Sequence, residues 1–169
     1  MIKIITYSND NIFNLNVEAL VNPVNCVGVM GKGLALEFKV NFYDNFLAYQ
    51  EECKQNRIGI GKCFVFELSN ELSTFCNLKY IINFPTKITW RETSQYDYIK
   101  SGLIDLENII TNYKIKSIAI PALGCGLGQL EWEHVRQLLI THLSHFNAVN
   151  IIIIRPKKGL IVTLNRNKR

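Results

Sequence analysis

Apolar and polar positions alternate along the chain in strand-length and helix-length pieces, taken in turn. Residues 2–6 form a short strand with apolar bias. Ala19-Leu20-Val21 is a second, which the Asn22-Pro23 pair is expected to end, because proline lacks a backbone donor and restricts the residue before it. A helix opens over 33–38, and 44–55 carries helical spacing in Phe46, Leu47, Tyr49 and Cys53. Residues 63–66 and 80–84 read as strands, the latter stopped at Pro85. Ser94 is placed to cap a helix reaching Tyr113, with Tyr98, Leu103, Leu106, Ile109 and Ile110 on its inner side. Residues 117–120 and 149–154 are unbroken apolar runs, as strands covered on both faces require. Between them 131–145 is helical, with Trp132, Val135, Leu138, Leu139 and Leu143 on one face. This alternation predicts an α/β fold with helices on both sides of a largely parallel sheet.

Composition narrows the picture without changing it. At 169 residues, 48% apolar and 20% charged, the chain suits one domain with a sizeable core and excludes a disordered or collagen-like protein. The run 151–154 stops at Arg155-Pro156, far short of a membrane span, and the first seven residues read as a strand rather than a signal peptide. Five cysteines, odd in number and widely spaced, form no C-x-x-C pair. Reduced thiols in a cytoplasmic protein are expected, with no metal site.

Charge divides the chain. Six of the 19 basic residues lie after Ile154, leaving 13 against all 14 acids, so residues 1–154 carry a net −1. The +5 of the whole chain therefore comes from the tail, which can hold nucleic acid through phosphate charge or simply stay solvated.

In a sheet of this kind ligands bind beyond the carboxyl ends of the strands. Three segments follow such ends. The stretch 22–33, Asn-Pro-Val-Asn-Cys-Val-Gly-Val-Met-Gly-Lys-Gly, spaces three glycines before a helix. It matches neither the Walker A nor the dinucleotide fingerprint. The stretch 121–128, Pro-Ala-Leu-Gly-Cys-Gly-Leu-Gly, repeats the device after another strand. Either loop alone is more often structural; two at one sheet edge suit a ligand with two linked phosphates. The third segment, 83–91, carries Lys87 just past a strand. A lone lysine is by default a surface charge, but here it is the best candidate for a catalytic amine.

With these residues the chain resembles the macrodomain family, the ADP-ribose-binding fold, over residues 1–155, with 156–169 as a basic tail. More narrowly, residues 27–38, Asn83-Phe84-Pro85-Thr86-Lys87 with Trp90-Arg91, and Leu123-Gly124-Cys125-Gly126 with Leu130-Glu131-Trp132 resemble the antitoxin macrodomain of DarT/DarG-type toxin–antitoxin pairs. The resemblance implies a three-layer α/β/α fold with a mixed, mostly parallel sheet. It also implies a glycohydrolase that removes ADP-ribose from DNA bases modified by a partner DNA ADP-ribosyltransferase toxin. Asn11 and Ile12 then fall at the adenine side, and Asn25, with Asn22 beside it, at the distal ribose. Gly31, Lys32, Gly33 and Leu34 with Gly124, Cys125, Gly126, Leu127 and Gly128 cradle the diphosphate. Pro85 and Thr86 count among the ADP-ribose-binding residues, and Lys87 is the catalytic lysine. Two positions depart from the pattern: Asp10 stands where glycine is usual, and Gly128 where related terminal-ADP-ribose glycohydrolases have a catalytic aspartate.

No cofactor or metal is expected, and the chain is expected to be a monomer. A non-catalytic ADP-ribose reader and a small-metabolite enzyme (an O-acyl-ADP-ribose deacylase or ADP-ribose-1″-phosphate phosphatase) remain alternatives. So do a stand-alone hydrolase and a piece of a longer antitoxin, and the role of Lys87 as nucleophile, acid or electrostatic group.

Overall fold

The computed structural model describes residues 5–69 and 76–157. In chain order the elements are β1 (Ile5–Ser8), β2 (Ala19–Val24), α1 (Gly33–Asn41), α2 (Tyr43–Lys54), β3 (Phe64–Glu67), β4 (Tyr80–Pro85), α3 (Tyr96–Asn112), β5 (Ser117–Ile120), α4 (Trp132–Leu143) and β6 (Asn150–Ile154). The strands form one sheet in the order β1-β6-β5-β2-β4-β3. Every neighbouring pair is parallel except β3 with β4.

The apolar runs are explained by alternation across this sheet. Val21, Ile82, Ile118, Ile120, Ile151 and Ile153 pack on one face with Ile99, Leu103 and Leu106 of α3 and Val135, Leu139 and Leu143 of α4. Leu20, Ile81 and Ala119, with Ile152 and Ile154 against them, turn to the other face and meet Phe38 of α1. Successive side chains on a strand point oppositely, so a strand covered on both sides must be apolar throughout. A smaller cluster of Val24, Met30, Phe46, Tyr49 and Ile58 closes the carboxyl end of β2 under α2. These three layers are the expected architecture.

Polar groups also cross the interior. Asn22, Asn45 and Asn83 are fully buried. Asn22 Nδ2 donates to Asn83 Oδ1 at 3.0 Å, and Asn83 Nδ2 donates to Asn45 Oδ1 at 2.7 Å. These bonds tie β2, β4 and α2 together, although Asn22 Oδ1 finds no partner among the described residues.

Three expectations need correction. The Asn22-Pro23 pair does not end β2, which continues to Val24. Beyond Leu20 the strand pairs only with β4, so the proline sits where the β5 side carries no ladder. Ser94 does not cap α3: Gln95 holds the cap position without a side-chain bond. Ser94 is instead buried, its N–H donating to Gly128 O at 3.0 Å, because loop packing outweighs a local cap. The first strand does not end at residue 6 but runs on to Ser8. Residues 2–4 of that expectation, and the basic tail beyond residue 157, lie outside the described residues.

Candidate active site

The chain leaves β2 toward β4 on one side, whereas β5 and β6 lie on the other, so the crossover directions part between β2 and β5. Such a reversal opens a crevice at the carboxyl edge. Three loops meet there, one each from β2, β4 and β5.

The loop after β2 is held from below. Asn25 Oδ1 accepts from the N–H groups of Val27 at 3.0 Å and Val29 at 3.3 Å, and its Nδ2 donates to Val29 O at 2.7 Å. The Tyr49 hydroxyl lies 2.7 Å from the Asn25 carbonyl oxygen and 2.9 Å from its Oδ1. Gly28 takes a positive φ of 79°, and its carbonyl accepts from Gln50 Nε2 at 3.2 Å. Met30 is buried beneath, which leaves Gly31, Lys32 and Gly33 exposed at the start of α1. The first helical bond runs from Leu36 N–H to Lys32 O at 3.3 Å, and no side chain caps the helix. The N–H groups of Gly33, Leu34 and Ala35 precede that bond. A helix start of this kind attracts anions.

The loop after β5 faces it. Gly124 has a φ of 72°, and a Cβ there would lie 2.7 Å from Leu130 Cδ1, so only glycine fits. Bonds from Leu130 N–H to Gly124 O at 2.9 Å and Gln129 N–H to Gly126 O at 3.0 Å fold the loop on itself. Gly126 and Leu127 form its exposed crest, and a Cβ at Gly126 would meet nothing within 4 Å. Leu127 Cδ1 is 3.6 Å from the position a Cβ of Gly33 would take, so the two glycine loops stand across a narrow gap. Gly128 is closed instead: a Cβ would fall 2.3 Å from Ser94 Oγ and 2.4 Å from Gly124 O. An aspartate cannot occupy that position in this loop.

The loop after β4 joins the other two. Thr86 N–H donates to Val24 O, and Cys26 N–H to Ile88 O, each at 2.9 Å. Lys87 reaches across to the opposite side, where Nζ donates to Leu127 O at 3.0 Å. Partial burial holds its ammonium below the ordinary lysine range, against a smaller upward pull from the Glu92 carboxylate. The neighbouring thiols are inert by comparison. Burial pushes Cys26 up to about 11 and Cys125 up to about 12, so neither supplies a thiolate near neutral pH.

The Macro domain family model matches residues 21–139, which hold most of β2, all of β4 and β5, and all three loops. The chain belongs to the macrodomain family. It is 45% identical over 155 residues to a protein named DNA ADP-ribosyl glycohydrolase from Mycobacterium tuberculosis, covering 92% of this chain but 43% of that relative. A Thermus aquaticus protein of the same name is 42% identical over 146 residues, 86% of this chain and 39% of the relative. The chain thus spans less than half the length of these relatives. Among solved structures, the macrodomain of Mycobacterium tuberculosis DarG superposes with a TM-score of 0.86 at 44% identity, covering 90% of this chain and 98% of that one. Thermosipho africanus DarTG in complex with ADP-ribose superposes at 0.86 with 34% identity, covering 93% of this chain and 43% of that one.

Within the macrodomain the expected site residues separate into groups. Lys87, Gly31, Lys32, Gly33, Gly126 and Leu127 come together at the crevice. Thr86 and Pro85 are buried beneath Lys87. Gly124, Cys125 and Gly128 form the base of their loop. Asn11 caps the 3-10 turn Ile12–Asn14, its Oδ1 accepting from Phe13 N–H at 3.0 Å, and Ile12 is buried. This turn follows β1 and packs through Ile12 in one cluster with Phe38 of α1, Leu20 of β2 and Ile81 of β4. Asn22 lies in the interior, and the Asn25 amide is engaged by its own loop. Sequence reading missed Tyr49 and Gln50, which hold the first loop from α2, and Ser94, whose buried Oγ has no partner among the described residues. Tyr49 carried a helical signal only; Ser94 sat where a cap was expected. A separate cavity of about 350 Å³, lined by Phe13, Leu15, Val17, Phe42 and Leu78 among others, opens at the amino edge of β2 and β4 and shares no residue with the crevice.

Proposed function

We propose that this macrodomain is a lysine-dependent DNA ADP-ribosyl glycohydrolase that reverses the modification made by a DNA ADP-ribosyltransferase toxin. The observation that carries the reading is Lys87 Nζ, set 3.0 Å from Leu127 O between two glycine loops suited to a diphosphate. The names of the relatives support the substrate. One of them, from Thermosipho africanus, is named a DNA ADP-ribosyl transferase–DNA ADP-ribosyl glycohydrolase fusion protein, which supports the toxin as partner.

In this reading Gly31, Lys32, Gly33 and Leu34 and Gly124, Cys125, Gly126, Leu127 and Gly128 hold the diphosphate, with the adenosine toward Asn11 and Ile12. The distal ribose lies near Asn25 and Asn22, with its anomeric carbon presented to Lys87 over Thr86 and Pro85. The bond to be broken joins that carbon to a base nitrogen, and its cleavage builds positive charge on the sugar. A neutral Nζ attacks the anomeric carbon and the base leaves with one Nζ proton. The ring C–O bond of the glycosylamine then breaks, its oxygen takes the second Nζ proton, and water releases the opened sugar from the resulting Schiff base. Burial that lowers the Lys87 pKa raises the neutral fraction this route needs. In the second route an ammonium gives its proton to the departing base.

The macrodomain extends over residues 1–155, followed by the basic tail 156–169, and acts as a monomer in the cytoplasm. No helix among the described residues is long and apolar enough to cross a membrane.

The test incubates parent, Lys87→Ala and Lys87→Arg proteins with ADP-ribosylated single-stranded DNA and with acylated ADP-ribose. Lys87→Ala should bind ADP-ribose within a few-fold of the parent yet release it from DNA at least ~10²-fold more slowly. Arginine keeps the charge but forms no Schiff base, so it should be equally slow. Release by the parent from acylated ADP-ribose alone would identify a small-metabolite enzyme, and binding without release a reader.

A further inference from the structure

Just beyond Lys87 the chain makes an exposed turn at 89–92, closed by Glu92 N–H to Thr89 O at 3.4 Å and Thr89 Oγ1 to Glu92 Oε1 at 3.2 Å. Its two corner residues are Trp90 and Arg91. The Trp90 indole is 54% exposed, and the Arg91 guanidinium lies over it, 4.7 Å from the ring. Among the described residues Trp90 joins no apolar cluster of the core, whereas the other tryptophan, Trp132, packs against the main one. The turn is not loosely attached: Ile88, two residues earlier, is tied to Cys26 in the first glycine loop. A large aromatic surface stacked with a cation thus stands at the rim of the crevice.

We propose that this turn is the platform for the single-stranded DNA beside the modified base, with the Trp90 indole stacking on a flanking base and Arg91 meeting the adjoining phosphate. The proposal rests on the reading of DNA as substrate and says how the strand is gripped. Residues 1–154 carry a net −1, so the body offers no broad positive field for the backbone. A stacking contact with a local cation supplies strand affinity without one, and without sequence preference, because every base has a π-face. Lys32, exposed at the start of α1, and Lys87 extend the positive side of the rim; Glu92 is the opposing charge in the turn. The platform also selects strandedness, since paired bases in a duplex bury the faces an indole would cover.

The experiment measures binding of labelled, unmodified single-stranded oligonucleotide by fluorescence anisotropy, beside KM and kcat on the same sequence carrying one ADP-ribosylated base and on an ADP-ribosylated nucleoside. Trp90→Ala should weaken oligonucleotide binding about tenfold, the scale of one lost base–aromatic stack, and Trp90→Phe should recover most of it. The same variant should raise KM for the oligonucleotide with little change in kcat, while KM for the nucleoside and affinity for free ADP-ribose hold. Arg91→Gln should flatten the log–log salt dependence by about 0.7, the release of one counterion from a single strand. Trp90→Ala binding the oligonucleotide as tightly as the parent would overturn the platform. So would equal KM increases on oligonucleotide and nucleoside, or a parent that binds duplex as tightly as single strand. If the parent leaves ADP-ribose on DNA yet Trp90→Ala still loses oligonucleotide binding, the platform stands and the proposed reaction fails.

Discussion

Lys87 sits between two opposed influences. Burial lowers its pKa and the Glu92 carboxylate raises it. Replacing Glu92 by glutamine removes the upward pull, so the Lys87 pKa moves further down. With a neutral amine as the reacting form, the acidic limb of kcat/KM against pH should then shift to lower pH, and the rate in that limb should rise. A pH–rate profile of Glu92→Gln measures this directly. A shift of the alkaline limb instead would mean that the ammonium is the active form and that Lys87 acts as a proton donor. The same scale explains Asn25. Its side chain makes four hydrogen bonds to Val27, Val29 and Tyr49, so its first effect is to shape the loop that presents Gly31 to Gly33.

At the scale of elements, β4 delivers Lys87 and α3 sets where β4 lies. The contact between them is unusually close. A Cβ on Gly102 of α3 would fall 2.2 Å from Cζ of the fully buried Phe84, which is three residues before Lys87. Gly102→Ala improves helix propensity by about 1 kcal/mol but forces the ring or the helix to move. Overpacking of this kind costs about 1–3 kcal/mol, and the close approach places it at the upper end. The expected result is a melting temperature a few degrees lower, at about 2–4 °C per kcal/mol for a domain of this size. Trimming Phe84 to leucine in the Gly102→Ala background should recover part of the loss. A Gly102→Ala protein that melts above the parent would show that the helix and strand separate easily.

For the whole molecule, the proposed function makes ADP-ribose a ligand of the folded state. At a hundredfold excess over its dissociation constant it should stabilise the fold by about 2.7 kcal/mol. That corresponds to a rise of about 5–10 °C in melting temperature. Gly126→Val should remove the rise and leave the unliganded melt near the parent value, since a Cβ at 126 meets no protein atom within 4 Å and stands in open space at the exposed crest of the loop. Gly33 is a poorer probe because its φ of 59° strains any side chain whatever the space around it. A Gly126→Val protein that still gains stability from ADP-ribose would place the diphosphate elsewhere.

The strands and helices were legible in the sequence because burial on two faces demands unbroken apolar runs such as 117–120 and 150–154, and burial on one demands helical spacing, as in α3 and α4. Glycine spacing and a lysine past a strand end likewise marked the three loops, since few other residues allow such close backbone approach. What the linear chain withheld depends on partners distant along it. Pro23 stays within β2 because β5 pairs with only the first part of that strand. Ser94 gives up its cap to pack on Gly128, 34 residues later. The position of Lys87 opposite Leu127 follows from β2 lying between β4 and β5, an order that no local pattern encodes. Local periodicity reports how much of each segment meets water; which segments meet each other is decided only when the sheet assembles.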